Sequence, residues 1–353
     1  MTVSACVRAF FLAVTVLLAG VPLCPASALA ARAGAETAGP GAKPEAEARV
    51  DRILRSIVGV RAYVPGHART APSLGTERQG TGVVIDDKGL VLTIGYLILE
   101  AEKAELVLQD GDVRPATLVA YDHGTGFGLL RAAGPIDVPA AELGSSADLA
   151  EGAGVVSVAM GGPSPITPAQ VVSRRDFAGY WEYLLENAIF TAPANPFFGG
   201  AALFDLSGRL VGVGSLVVND AAGPEQEMTG NMFIPIDVLK PALDAMVATG
   251  RGPGPRNPWL GLYPHEARGR LFVMRVAEDG PAAKAGIKPG DIILGAGGKH
   301  VSGMADFFRR VWSQGGPGSD IVIDVLPKGA ADLEIRKVTI RALDRYDWLR
   351  MTH

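Results

Sequence analysis

Residues 194 to 214 read ANPFFGGAALFDLSGRLVGVG, and this stretch decides the fold. The apolar runs 201–204 and 210–215 flank a polar Leu-Ser-Gly turn, the signature of a β-hairpin. Before them, Asn195-Pro196 and two phenylalanines lead into Gly199-Gly200, a pair suited to a loop whose backbone shape only glycine tolerates. Upstream, similar short runs recur at 154–159, 169–173 and 188–191. An earlier series occupies 82–85, 90–93, 104–108, 114–121 and 126–132, with turns such as DDKG and QDGD between them. Strands at this spacing predict two all-β units of similar size between about 50 and 245, each an antiparallel barrel or sandwich.

Val50, Ile53, Leu54 and Ile57 recur at helical spacing and predict a short helix before a strand over 58–63. Residues 64–79 are expected as loop, and a helix over 238–248 should end at Gly250. Arg174, Arg175 and the stretch to Trp181 read as a solvated loop. The segment RGPGPRNP (251–258) is a linker by its Pro and Gly content.

The 353 residues are 48% hydrophobic and 20% charged, with net charge −4. That make-up suits two or three buried cores, and the interspersed charges exclude the basic stripe of a nucleic-acid binder. Residues 1–30 carry one cation, Arg8, an apolar run and a small-residue end at Ala30. They predict an export signal, so the chain is expected in the periplasm or outside the cell, or anchored to a membrane by an uncleaved signal. Both cysteines, Cys6 and Cys24, fall inside it. Residues 31–48, small and broken by Gly and Pro, predict a flexible leader. The five histidines, His67, His123, His265, His300 and His353, are widely separated. With no metal-ligand spacing or phosphate loop, no metal and no cofactor are predicted.

GTGVVIDDKGLVLTIGYLI (80–98), YDHGTGFGLLR (121–131), ELGSSADLAEGAGVVSVAMGGP (142–163) and residues 194–214 stand in one order and spacing. In this they resemble the high-temperature-requirement (HtrA/Deg) serine endopeptidases. The resemblance implies a mainly β chain: a chymotrypsin-like double β-barrel followed by an α+β PDZ domain. Its parts would be a signal (1–30), leader (31–48), trypsin-like domain (49–248), linker (249–257), PDZ domain (258–345) and tail (346–353).

At the chemistry the resemblance departs from the family. Tyr96 stands where the family has its general-base histidine, Gly126 where it has the orienting aspartate, and Gly199 where it has the nucleophilic serine. Phe197 stands at the glycine whose amide serves the oxyanion hole. A residue without a side chain cannot attack, and a phenol of pKa about 10 is a poor base near neutrality. No catalytic residue is therefore predicted. The rings of Phe197 and Phe198 are expected in or beside the cleft, filling or reshaping it. His123, Ser145, Ser146, Ser173 and Ser207 read as structural, since a nucleophile needs a positioned base.

Trp259-Leu260-Gly261-Leu262, EDGPAAKAGIKPGDIILGAGGKHV (278–301) and the segments 304–312 and 321–326 resemble a PDZ domain of the bacterial protease type. The amides of Leu260, Gly261 and Leu262 would cradle a terminal carboxylate while the peptide adds as a strand beside the helix 304–312. The function implied is an exported pseudoprotease that binds peptides, protein C-termini or unfolded chains, or regulates an active protease. It would assemble with itself, the family's habit being a trimer. Two other readings stay open: a serine endopeptidase with an atypical site, and a chaperone-like or scaffold oligomer.

Overall fold

The computed structural model describes residues 42–161, 164–254, 256–329 and 334–349. The predicted signal, residues 31–41 and residues 350–353 lie outside them. The described residues open with a helix, Ala42–Arg55, which begins inside the leader expected to be flexible. Its alanines, glutamates and arginines are strong helix formers, with Glu45 in the first turn and Arg52 and Arg55 in the last, where they complement the helix dipole. Buried Val50 and Ile53 dock it on the body.

Six strands form the first barrel: β1 (Ile57–Tyr63), β2 (Glu77–Val84), β3 (Leu90–Ile94), β4 (Lys103–Val107), β5 (Val113–Tyr121) and β6 (Phe127–Ala132). They close in the order β1-β2-β3-β6-β5-β4. The loop expected over 64–79 instead contains a helical turn, Ala71–Leu74, and the start of β2. Arg78 hid that strand. It is a cation on the inward face, only 5% exposed, and it breaks the apolar alternation.

The second barrel comprises β7 (Gly154–Val158), β8 (Ile166–Gly179), β9 (Tyr183–Ala192), β10 (Ala202–Asp205), β11 (Leu210–Val218) and β12 (Gly230–Pro235), ordered β10-β11-β12-β9-β8-β7. The outer parts of β8 and β9 pair as far as Gly179 and Tyr183. The solvated loop expected at 174–181 is thus mostly ladder. The Arg174 guanidinium donates to the carbonyls of Ser146 and Leu149 at 2.7 and 3.0 Å, and Arg175 pairs with Asp220 at 2.9 Å. The helix expected over 238–248 is split into a 3-10 turn, Ile236–Val238, and a helix, Leu243–Thr249. Pro241 explains the break, because it has no N–H to donate and its ring collides with the preceding turn. Gly250 ends the helix as expected, with φ 75°.

The third unit is a sheet of β13 (Leu262–Ala267), β14 (Arg270–Val276), β15 (Ile292–Ala296), β16 (Lys299–His300), β17 (Asp320–Leu326) and β18 (Arg336–Arg341), ordered β13-β14-β15-β17-β18 with β16 beside β15. Its core includes Leu260, Leu262, Ile293, Phe307, Phe308 and Ile340. The helix Met304–Trp312 covers the sheet with Phe307, Phe308 and Val311. Residues 346–349 form no loose tail: Arg345–Trp348 is a helical turn capped by Asp344. Tyr346 and Leu349 are buried against Leu99 and Tyr121 of the first barrel, clamping the third unit to it.

Candidate functional site

The loop carrying Gly199 lies between the two barrels and is stitched to both. The Gly199 carbonyl accepts from the Thr81 amide of β2 at 2.8 Å, and the Gly200 amide donates to the Gly214 carbonyl of β11 at 2.9 Å. Gly200 has φ 76°, and a Cβ on it would run into the Thr81 carbonyl. Only glycine fits there. Behind the loop, buried Asn195 and Asn231 exchange hydrogen bonds: the Asn195 amide donates to Asn231 Oδ1 at 2.6 Å, and Asn231 Nδ2 donates to the Asn195 carbonyl at 3.0 Å.

Tyr96 sits on the 3-10 turn Gly95–Leu97 that follows β3. Buried Arg78 holds this turn from below, donating to the Tyr96 and Leu99 carbonyls at 2.8 and 2.9 Å. A Cβ built on Gly199 would lie 3.1 Å from Tyr96 Oη and, its chain neighbours aside, within 4 Å of no other heavy atom among the described residues. The two residues predicted to share the site are brought together. The Tyr96 hydroxyl donates to the Ser215 carbonyl of β11 at 3.0 Å, and burial pushes its ionisation far above the usual phenol range. Held that way, it is a proton donor in use and an ineffective base.

Gly126 lies beneath, its carbonyl accepting from the Gly95 amide at 2.8 Å. It has φ 83°, and a Cβ there would lie 3.2 Å from both Ile234 Cδ1 and Tyr183 Oη. The space a carboxylate would need is taken by Tyr183, whose hydroxyl donates to the Thr125 carbonyl at 2.7 Å. The Phe197 amide donates inward to Asn195 Oδ1 at 2.9 Å. The Phe197 ring, expected in or beside the cleft, stands 42% exposed, close to Gly161.

Leu260 and Gly261 form the loop that leads into β13, which Leu262 begins, and Gly261 has φ 73°. A carboxylate occupies this loop: Glu182, between β8 and β9. Glu182 Oε1 accepts from the Leu262 amide at 2.9 Å and Oε2 from the Leu260 amide at 3.0 Å. Burial pushes the Glu182 carboxyl up to about 7, against the pull of the Leu260, Leu262 and Gly261 amides and the Arg345 charge.

Two family descriptions match the chain: a trypsin-like peptidase domain over residues 80–213 and a PDZ domain over 258–335. A protein of Pseudomonas fulva named "Probable periplasmic serine endoprotease DegP-like" is 28% identical over 75% of this chain and 55% of its own length. A protein of the same name from Brucella suis is 29% identical, over 79% of this chain and 54% of its own length. The chain is a member of the HtrA/Deg family. It spans about half the length of the curated relatives it matches. Solved structures share the fold. The HtrA-type protease AlgW with a tripeptide superposes with TM-score 0.51 at 22% identity, over 85% of this chain and 97% of that one. The serine endoprotease from Yersinia pestis does so with TM-score 0.50 at 24% identity, over 85% and 97%.

Within this HtrA/Deg chain the hydroxyls considered as substitute nucleophiles have other partners. Ser146 Oγ donates to Asp237 Oδ2 at 2.8 Å, and Ser145 Oγ reaches the same oxygen at 3.4 Å. Burial works to raise the Asp237 carboxyl, but bonds from Lys240, Ser146 and the Ala147 amide hold it down at about 2. Ser173 Oγ donates to the Ala221 carbonyl at 2.7 Å and Ser207 Oγ to Asp205 at 2.6 Å. His123 lies edge-on between the rings of Tyr121 and Tyr346, at 4.5 and 4.3 Å. Glu182 escaped the sequence reading because its partner Leu260 is 78 residues along the chain, and Arg78 because an inward-facing cation breaks the apolar alternation of β2. The only local hint was a lone acid inside the aromatic run Tyr180-Trp181-Glu182-Tyr183.

Proposed function

We propose that this HtrA/Deg chain is an exported pseudoprotease that binds peptides, protein C-termini or unfolded envelope proteins through its PDZ domain, or regulates an active protease. It would do so without cleaving them, and as a homo-oligomer. The observation that carries this is the pairing at position 199. A glycine supplies no attacking atom, and the side chain facing it is a hydroxyl committed to the Ser215 carbonyl. Acyl transfer by this class needs a nucleophile, a proton acceptor and outward-facing amides for the oxyanion. Position 199 lacks the first, Tyr96 is unsuited to be the second, and the Phe197 amide is turned to Asn195. The relatives' names speak of serine endoproteases and of the periplasm. Among the described residues no helix is long and apolar enough to cross a membrane.

The test is turnover of an unfolded casein by the purified chain, residues 31–353, together with labelling by a fluorophosphonate that marks activated serines. No fragments and no label are expected. Cleavage that persists through repurification, with a label mapped to one serine, would overturn the proposal. A gain of activity in Gly199→Ser with Tyr96→His would show that the surrounding scaffold is still shaped for the reaction. Gly126→Asp is expected to add strain to that pair, because of its φ and the Tyr183 hydroxyl.

A further inference from the structure

The β8–β9 hairpin reaches out of the second barrel and lies against the PDZ unit. Asp176 on β8 pairs with Arg309 of the helix Met304–Trp312, and Glu186 on β9 lies 3.9 Å from the same guanidinium. Ala178 packs against the PDZ core. Arg345 donates to the Trp181 carbonyl at 2.9 Å. At the turn Glu182 adopts φ 59°, a left-handed conformation that is uncommon and strained for a residue with a side chain. The turn then aims its carboxylate at the amides of Leu260, Gly261 and Leu262.

A carboxylate on successive backbone amides, beside an unpaired sheet edge and a flanking helix, is what a peptide C-terminus would present to this loop. Among the described residues, strand β13 pairs only with β14, and its other edge is not part of any ladder. The hairpin lies along the helix on that side. Resting on the peptide-binding function above, we propose that Glu182 is an internal ligand of the PDZ loop. The trypsin-like domain thereby occludes the groove, and a peptide with a free carboxyl terminus binds by displacing the hairpin tip.

Tethering makes the occupant effective without making it permanent. A ligand on the same chain competes at an effective concentration in the millimolar range. Against this, the ionised carboxylate is held at a desolvation cost that its amides offset only in part. Such an occupant is exchangeable. The fraction of molecules with the tip withdrawn sets the apparent affinity for any peptide.

The experiment titrates the chain of residues 31–353 with fluorescein-labelled decapeptides of mixed sequence ending in Val, Leu or Phe, followed by anisotropy. One pool has free and one has amidated carboxyl termini. Glu182→Ala should bind the free-carboxyl pool at least about tenfold more tightly than the unaltered chain, and neither should hold the amidated pool. Hydrogen exchange of residues 258–263 should speed up in the variant and slow again on adding the free-carboxyl pool. If Glu182→Ala does not fold, Glu182→Gln takes its place, with a smaller gain expected because one amide-accepting oxygen remains. Equal affinity in the variant and the unaltered chain overturns the internal ligand while leaving peptide binding intact. So does a variant that melts lower without binding tighter, which would make Glu182 a latch between domains. If no free-carboxyl peptide binds a folded variant whose exchange shows an open loop, the peptide-binding function fails and the occlusion with it.

Discussion

Two places in this molecule are built on one piece of physics, backbone amides that must find an acceptor, and they have come to opposite states. At the 197–199 loop the Phe197 amide is satisfied from within, by the Asn195 carboxamide, and the neighbouring hydroxyl of Tyr96 by the Ser215 carbonyl. At the 260–262 loop the amides point outward and hold a carboxylate supplied by a distant hairpin. The first loop has closed its Phe197 amide on itself. The second holds its amides on an acceptor from another domain, and that contrast directs the functional reading to the PDZ unit. A buried amide must find an acceptor, and where the acceptor comes from separates scaffold from site.

Gly200→Ala should give the largest effect. Its φ of 76° and the Thr81 carbonyl in the path of a Cβ predict a loss of about 3 kcal/mol or more, read as a fall in the melting temperature. A variant melting like the unaltered chain would mean the 197–200 loop is not stitched between the barrels as described. Tyr96→Phe should follow, at about 1 kcal/mol, through the unmet Ser215 carbonyl. It should leave turnover at zero. Any activity of the unaltered chain that this change abolished would make Tyr96 catalytic and dissolve the contrast between the two loops.

The third prediction concerns pH. Docked at the loop, the Glu182 carboxyl titrates near 7, above its value in water of about 4.5. The docked state therefore binds a proton that the withdrawn state releases. This contribution is full below about pH 4.5 and is lost as pH rises through about 7. Arg345, on the closing helix, is the cation that opposes the shift, while Arg275 lies over the Tyr263 ring of β13. Exchange at residues 258–263 should thus be slower at pH 5 than at pH 8 after correction for intrinsic rates, and the difference should vanish in Glu182→Gln. A pH effect that survives Glu182→Gln would have to come from another group.

The smallest effect belongs to Arg309→Ala. The Arg309–Asp176 pair is nearly half exposed on both sides, so screening leaves it worth about 1 kcal/mol or less. A modest rise in free-carboxyl peptide affinity, well below that of Glu182→Ala, would place the main hold at the carboxylate. An equal rise would place it along the hairpin.

Most of the strands could be read directly, because each barrel strand turns an apolar face inward and the turns carry Gly, Asp and Asn. The errors fall where that alternation is interrupted. Arg78 faces inward and concealed the start of β2, while Arg174, Arg175 and Asp176 made the outer half of β8 look solvated. Pro241 broke a helix that periodicity alone would continue. The residues at positions 96, 126, 197 and 199 are matters of sequence, as is the Leu260-Gly261-Leu262 pattern ahead of a PDZ strand.

Sequence by itself determined the family, the double barrel with a PDZ unit, and which side chains stand at the site, since local pattern and residue identity carry that information. Tertiary structure alone decided what those groups face: Tyr96 the Ser215 carbonyl, Gly126 the Tyr183 hydroxyl, and the PDZ amides Glu182. Partners separated by up to 119 residues leave no trace in local periodicity. Their meeting follows from how the barrels, the long hairpin and the closing helix pack, and that is set by the burial of whole surfaces rather than by any one segment.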